Sequence, residues 1–149
     1  MTLEFDDRAE SGVDEAAVAA VVDAVLTAEN VGEVEVGVVL VDAFEMQEIN
    51  REHRGKDEPT DVLSFPIDDD DDEDLDGVTR MLGDVVICVP VLVQQAADND
   101  VAVGDELVDL LVHGVLHLLG YDHETDDGEM LTRQDAIVAP LAPIAWPSH

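Results

Sequence analysis

Three histidines within eleven consecutive residues constrain this chain more than any other feature of its sequence. The stretch from His113 to His123 reads HGVLHLLGYDH and holds three of the chain's five histidines. On an α-helix, His113 and His117 stand four residues apart and project from one face, so both imidazoles can reach a single cation. Gly120 can adopt the left-handed conformation that ends a helix, which allows His123 to return toward the other two rings. The sequence therefore predicts a metal site formed by three imidazoles at the end of a helix.

The ligand set indicates which metal this site binds. Neutral imidazole nitrogens suit zinc, and a zinc ion with three protein ligands keeps a fourth position for water, as catalytic sites do. The alternative is that these histidines are hydrogen-bonded core residues, but helical geometry alone brings two of the rings together. We therefore predict one catalytic zinc ion per chain, bound by His113, His117 and His123.

The spacing of the three histidines also matches the zinc ligands of the metzincin proteases. Those proteases carry a glutamate, their general base, directly after the first histidine, and this chain has Gly114 there. A glycine can neither accept nor donate a proton through a side chain. Peptide hydrolysis by the metzincin mechanism is therefore disfavoured.

The net charge bears on the choice of partner. The chain has 37 Asp and Glu against 6 Lys and Arg, a formal net charge of −31. A field of this sign opposes the approach of a phosphate backbone at low salt. At ionic strengths near 1 M the screening length falls to about 3 Å, and only local contacts count. The acidic excess with a single lysine leads to the hypothesis that the protein works in a salt-rich, halophilic-type cytoplasm.

The remaining composition favours one folded cytoplasmic domain. At 149 residues with 46% apolar residues, the chain is long enough for one core and too short for two ordinary domains, so we assign residues 1–149 to a single domain. No apolar run has membrane-spanning length, and the first residues lack the parts of a signal peptide. We expect a cytoplasmic protein with no membrane partner. The lone cysteine, Cys88, excludes an intrachain disulfide and is interpreted as a small buried residue.

Periodicity predicts strands alternating with helices. Strands are expected at residues 2–6, 33–41, 61–65 and 83–89. Helices are expected at residues 13–29, 42–55 and 90–99, from Gly104 through the histidines, and from about Glu129 to Pro140. The helix that carries the histidines should be the central and most buried one. The acidic run 68–76 is interpreted as a solvated loop, and the pattern as a whole predicts a single α/β or α+β domain.

The basic residues are clustered in one segment. Residues 49–66 read INREHRGKDEPTDVLSFP and contain Arg51, Arg54 and Lys56, three of the chain's six basic residues. One interpretation is a set of surface ion pairs with the neighbouring carboxylates Glu52, Asp57 and Glu58. The other is a local phosphate-binding cluster. The residues alone leave both open.

With these motifs together, the chain resembles the YbeY family of bacterial ribosomal RNA maturation factors. The resemblance runs from about Val34 to Met130 and depends on RGKDEPTDVLSFP at Arg54–Pro66 and HGVLHLLGYDH at His113–His123. It implies a mixed four-stranded sheet with about five helices and a zincin-like metal helix. It also implies a single-strand-specific endoribonuclease that matures the 3′ end of small-subunit (16S) ribosomal RNA and takes part in ribosome quality control.

The resemblance also implies roles for individual residues. It places the zinc on His113, His117 and His123, and it makes Arg54 functional, because a guanidinium can bind two phosphate oxygens where charge develops. Arg51 and Lys56 are expected to be auxiliary RNA contacts. Zinc lowers the pKa of a bound water to near 7, far below that of bulk water, which would compensate for the missing base.

Several alternatives stay open at this point. Asp122 and Glu124, which flank His123, could move protons or only form hydrogen bonds behind the metal ligands. The same three histidines could serve a hydrolase of peptides or small molecules. The zinc could also only stabilise the fold of a ribosome assembly factor that is not an enzyme. We expect ribosomal RNA and the small subunit as partners and no DNA, and the oligomeric state cannot be predicted.

Overall fold

Four strands and five helices make up the part of the chain that the computed structural model describes, residues 1–67, 80–121 and 128–147. The strands are β1 (Thr2–Asp7), β2 (Val34–Val41), β3 (Val62–Pro66) and β4 (Arg80–Cys88). The helices are α1 (Glu15–Ala28), α2 (Ala43–Arg54), α3 (Val89–Asp98), α4 (Val103–Leu118) and α5 (Glu129–Val138).

The four strands form one mixed sheet in the order β1-β2-β4-β3. Strands β1, β2 and β4 are parallel, whereas β3 is antiparallel to β4. In this sheet β1 and β3 are therefore the outer strands. The α+β class and the mixed four-stranded sheet with five helices agree with the predictions.

Helix α4 is the central helix of the fold. Ten of its sixteen residues are buried, and it contacts α1, α3, α5, β3 and β4. Apolar residues of α1, α4, α5 and one face of the sheet form the main core. A smaller core, which includes Met46 of α2, covers the other face. The predicted central position of the histidine helix is therefore confirmed.

Helix α2 ends where the sequence predicts, directly after Arg54. Its first turn is capped by Asp42, whose carboxylate accepts a hydrogen bond from Glu45 N at 2.8 Å. At its other end Gly55 has φ of +70°, the left-handed conformation, and its N–H donates to the Arg51 carbonyl. This stop places Arg54 at the junction between α2 and the loop that leads to β3.

Most boundaries lie within two residues of the predictions, and β4 is the exception. It begins at Arg80, three residues before the predicted start at Gly83, because its pairing with β2 continues through an irregularity between Glu35 and Val36. Cys88 is fully buried, as predicted, and burial raises the pKa of its thiol. The acidic run 68–76 and His123 lie outside the described residues.

No helix among the described residues combines the length and the apolar character needed to cross a bilayer.

Candidate active site

Helix α4 brings two of the predicted metal ligands into contact. His113 and His117 are four residues apart on its surface, and their Nε2 atoms lie 3.1 Å from each other. Their ring centroids are 4.6 Å apart, with an angle of 78° between the planes. Both side chains are half-buried in the wall of a cavity. The helical spacing therefore produces the convergence that the sequence predicts for these two histidines.

The Nδ1 atom of His113 is held by a side chain from another helix. It lies 2.9 Å from Gln134 Oε1, on α5. The orientation of the Gln134 amide is set by its own Nε2, which donates to Asp109 Oδ1 at 3.0 Å. Because the amide oxygen can only accept, His113 Nδ1 carries the proton. The lone pair of the neutral ring is therefore on Nε2.

The Nδ1 atom of His117 is held by the backbone. It lies 2.9 Å from the carbonyl oxygen of Tyr121, which can only accept a hydrogen bond. Gly120, with φ of +100°, turns the chain after α4, and the Tyr121 N–H donates to the Leu116 carbonyl. The glycine stop thus returns the backbone to His117 and places the proton of that ring on Nδ1.

The donor atoms of the two rings fit a cation. Both lone pairs are on Nε2, so without a positive charge near them two electron-rich nitrogens would face each other at 3.1 Å. Two nitrogen ligands of a tetrahedral zinc ion, each about 2.0 to 2.1 Å from the metal, are about 3.3 Å apart. Within residues 1–67, 80–121 and 128–147, no group of three potential metal ligands is assembled. The described residues therefore supply two ligands, and the third predicted ligand, His123, lies outside them.

The cavity beside the histidines has a volume of about 840 Å³. Its walls are the end of α2, the outer strand β3 and the histidine face of α4. Ser64 of β3 connects two of these walls, because its hydroxyl donates to the Gly114 carbonyl at 2.9 Å. Its lining includes His53, Arg54, Phe65, Asp109, His113 and His117.

The three predicted RNA-binding residues occupy different places. Arg54 lines the cavity and has an exposed side chain. Arg51 does not line it, and its guanidinium forms an ion pair with Glu48 at 2.7 Å, one helical turn away. Lys56 is exposed and also lies outside the cavity lining. The structure thus brings only Arg54 of the three to the same cavity as the histidines.

The cavity wall also carries negative charge. Asp61 and Asp109 line it, and Glu106 lies one turn before Asp109 on α4. The pKa of the Glu106 carboxyl is raised, first by burial and then by repulsion from Asp109 and Asp61. Among the described lining residues, Arg54 is the one with a permanent positive charge. The lining therefore attracts a polyanionic substrate only near Arg54.

Sequence reasoning overlooked the residues that orient the histidines. Asp109 precedes His113 by four residues, so its presence on the same helix face could have been found from spacing. Gln134 gives no such signal, because it reaches His113 only through the packing of α5 against α4. His53 and Phe65 of the cavity wall were also missed.

Comparison with known proteins finds relatives that match most of the chain. The family model described as Endoribonuclease YbeY matches residues 4–142. Proteins named Endoribonuclease YbeY are 44% identical over 124 residues in Sulfurihydrogenibium sp. (strain YO3AOP1) and 47% identical over 126 residues in Moorella thermoacetica. The first alignment covers 81% of this chain and 79% of the relative, and the second covers 80% and 81%. The solution structure of a Thermotoga maritima protein, 29% identical, superimposes with a TM-score of 0.62 over 92% of this chain and 87% of that one.

Proposed function

The chain belongs to the endoribonuclease YbeY family, and on that premise we propose that it is a zinc-dependent endoribonuclease that hydrolyses phosphodiester bonds in single-stranded RNA. Its proposed substrate is the 3′ end of small-subunit ribosomal RNA, in maturation and in late ribosome quality control. The proposed location is the cytoplasm, with the small ribosomal subunit as partner. The observation that supports this most is the convergence of His113 and His117 Nε2 at 3.1 Å in a cavity that Arg54 also lines.

Each described residue of the site has a defined task in this proposal. His113 and His117 would each hold the zinc ion through the Nε2 lone pair, and His123 is the predicted third ligand. When bound, the metal supplies the Lewis acidity that makes water a nucleophile near neutral pH. Arg54 binds two oxygens of the scissile phosphate and stabilises the additional negative charge of the transition state. Asp109 accepts a hydrogen bond from Gln134 Nε2 and so orients the amide that holds His113.

The experiment is cleavage of a single-stranded RNA and of its duplex in high KCl, with zinc content measured for each variant. We expect His117→Ala to lose both zinc and cleavage. Arg54→Ala should keep zinc and lose about 100- to 1,000-fold in kcat, the usual effect of removing one charge-stabilising donor. Arg8→Ala is the charge-matched control, because Arg8 pairs with Asp6 and Glu45 away from the cavity.

Two further assays of the same variants, protein cleavage and ribosome maturation, distinguish the two other functions. Cleavage of protein substrates with RNA left intact would identify a metal hydrolase of peptides. If Arg54→Ala left ribosome maturation unchanged while chelation of the metal unfolded the chain, the protein would be an assembly factor whose zinc is structural. RNA cleavage that survives complete loss of zinc in His117→Ala would contradict the proposed mechanism.

A further inference from the structure

Two aromatic side chains form a pair in the cavity wall beside Arg54. The ring centroids of His53 and Phe65 are 5.0 Å apart and their planes make an angle of 62°. His53 is in the last turn of α2, directly before Arg54, and Phe65 is in the outer strand β3. Both rings line the cavity, His53 exposed and Phe65 half-buried. In such an edge-to-face pair each ring still has aromatic surface that its partner does not cover.

The charge of the chain makes uncharged contacts important for binding RNA. Proteins usually obtain affinity for nucleic acid from many cationic contacts to phosphates. This chain has a net charge of −31, and its cavity wall combines Arg54 with Asp61 and Asp109. Stacking of a base on an aromatic ring does not depend on charge and persists at high ionic strength. The His53–Phe65 pair can therefore supply affinity that the sparse basic residues cannot.

We propose that His53 and Phe65 form a subsite for one unpaired nucleobase of the RNA whose phosphate Arg54 binds. This rests on the proposed function and specifies the part of the substrate that the site recognises. A base within a duplex is already stacked and paired, so it cannot enter the subsite without unstacking. The subsite thus gives a physical reason for a preference for single strands.

Binding measured without cleavage tests this subsite separately from the proposed function. The zinc-loaded full chain is titrated in 1 M KCl, about the concentration at which distant charges are screened, with a short phosphorothioate RNA that resists hydrolysis. The oligonucleotide carries 2-aminopurine, whose fluorescence falls when it stacks on an aromatic ring. We expect His53→Ala to weaken binding about 5- to 100-fold and to abolish the quenching. His53→Phe should retain both.

Phe44→Ala is the matched control, because Phe44 is an aromatic residue of the same helix that is 74% exposed and lies outside the cavity lining. A series of oligonucleotides with one abasic position should show the same loss at a single position. Equal affinity of His53→Ala and wild type, or no effect of any abasic position, would overturn the subsite. Stacking without any RNA cleavage would instead contradict the proposed function and leave the subsite intact.

A second inference comes from a different set of contacts, those of two adjacent residues on α5. Gln134 accepts the Nδ1 proton of His113 and is itself held by Asp109. Arg133 donates from Nε to Glu29 Oε1 at 2.7 Å and from Nη2 to the Ala28 carbonyl at 2.6 Å. Both acceptors are at the end of α1.

The Arg133 contacts lead back to His117 through Tyr121. The Tyr121 hydroxyl donates to Glu29 at 3.2 Å from Oε1 and 3.3 Å from Oε2, and the Tyr121 carbonyl accepts the Nδ1 proton of His117. Glu29 therefore receives hydrogen bonds from both Arg133 and Tyr121. The Tyr121 side chain is thus held by Glu29, which fixes the turn after α4. In this turn the Tyr121 carbonyl faces the His117 ring.

We infer that α5 orients both histidines, with Gln134 as the positioning residue for His113 and Arg133, acting through Glu29 and Tyr121, for His117. Groups that accept the second proton of a metal-bound imidazole fix its tautomer and ring orientation. One helix thereby controls the direction of both Nε2 lone pairs.

The tautomer is observable without any metal or substrate. Long-range proton–nitrogen correlation spectra of the full chain distinguish a ring protonated at Nδ1 from one protonated at Nε2. We expect Gln134→Leu to shift His113 toward the Nε2-protonated form and to weaken zinc binding about 10- to 100-fold in competition with a chelator. The double variant Asp109→Asn with Gln134→Glu restores an acceptor for Nδ1 and a donor for that acceptor, so it should recover both.

Asp135→Ala is the control, an exposed neighbour on the same helix. Arg133→Met should reduce zinc affinity while leaving the His113 tautomer unchanged. If Gln134→Leu kept the wild-type tautomer, or lost zinc affinity only in proportion to a loss of thermal stability, Gln134 would be structural and the inference would be wrong.

Discussion

Gly114 lies so close to Val85 that a Cβ atom added to it would be 2.6 Å from Val85 Cγ1 and 3.2 Å from Cγ2. Val85 is fully buried in β4, so its branched side chain has little room to move. This is the position at which the metzincin proteases carry their general base. In this fold the Val85 side chain occupies the space that the first carbon of a glutamate side chain would need.

The contact predicts the cost of placing a side chain at Gly114. Gly114→Ala should destabilise the protein by about 1 to 3 kcal/mol, the usual penalty for overpacking a core, despite the better helix propensity of alanine. Urea unfolding of the metal-free chain measures this. Gly32→Ala is the control, because no atom lies within 4 Å of its added Cβ. Equal stability of the two variants would contradict the close contact.

Removal of the zinc should lower the free energy of unfolding, because the metal is expected to bind His113 and His117 in the folded chain. A cation that neutralises the facing lone pairs of His113 and His117 binds the folded chain and not the unfolded one. At free zinc 100-fold above its dissociation constant, the stabilisation is about 2.7 kcal/mol. We expect chelation to lower the Tm of the wild type and to leave that of His117→Ala unchanged. An equal shift in both proteins would place the metal elsewhere.

Tyr121 should titrate at unusually high pH. Burial first, and then the nearby Glu29 carboxylate, raises the pKa of the Tyr121 phenol above its ordinary value of 10.0. A raised pKa in the folded state means that the protonated phenol is favoured by folding. Its contribution to stability is therefore complete below pH 10.0 and is lost as the pH rises through the raised value.

Ultraviolet absorbance can follow this titration directly, because Tyr121 is the chain's single tyrosine. The native protein should ionise at higher pH than the denatured one. Tyr121→Phe should cost about 1 kcal/mol near neutral pH, the value of one hydrogen bond. The difference between the variant and the wild type should shrink at strongly alkaline pH. Identical titration curves for the native and denatured protein would rule out the contact with Glu29.

The acidic surface predicts a dependence on salt. With 37 carboxylates against 6 basic side chains, self-repulsion destabilises the compact state in dilute buffer, and salt screens it. We expect the Tm to rise continuously from dilute buffer to molar KCl. A protein equally stable in both would exclude the hypothesis of a salt-rich cytoplasm.

Local sequence signals account for the elements of the site that depend on neighbouring residues. The spacing of His113 and His117 determines that their rings meet, because four residues span about one turn of helix. Gly55 and Gly120 mark the ends of α2 and α4, since both adopt positive φ values that other residues avoid. These features follow from backbone geometry alone.

Contacts between distant parts of the chain could not be predicted in the same way. The bond from Ser64 to Gly114 spans fifty residues, and that from Gln134 to His113 spans twenty-one. The residues that flank Ser64 and Gln134 in the sequence do not indicate either partner. Arg51 illustrates the same limit at short range, because any of several neighbouring carboxylates suited it and rotamer geometry selected Glu48.

Strand β1 is an outer strand of the sheet, and the side chains of Thr2, Glu4 and Asp6 are exposed along it. An open strand edge can pair with the edge of a second molecule, and carboxylates on it keep such a molecule away by like-charge repulsion. Replacing both carboxylates by amides, Glu4→Gln with Asp6→Asn, removes this protection. Self-association of that double variant should therefore begin at β1, at the opposite edge of the sheet from β3, the outer strand that borders the cavity.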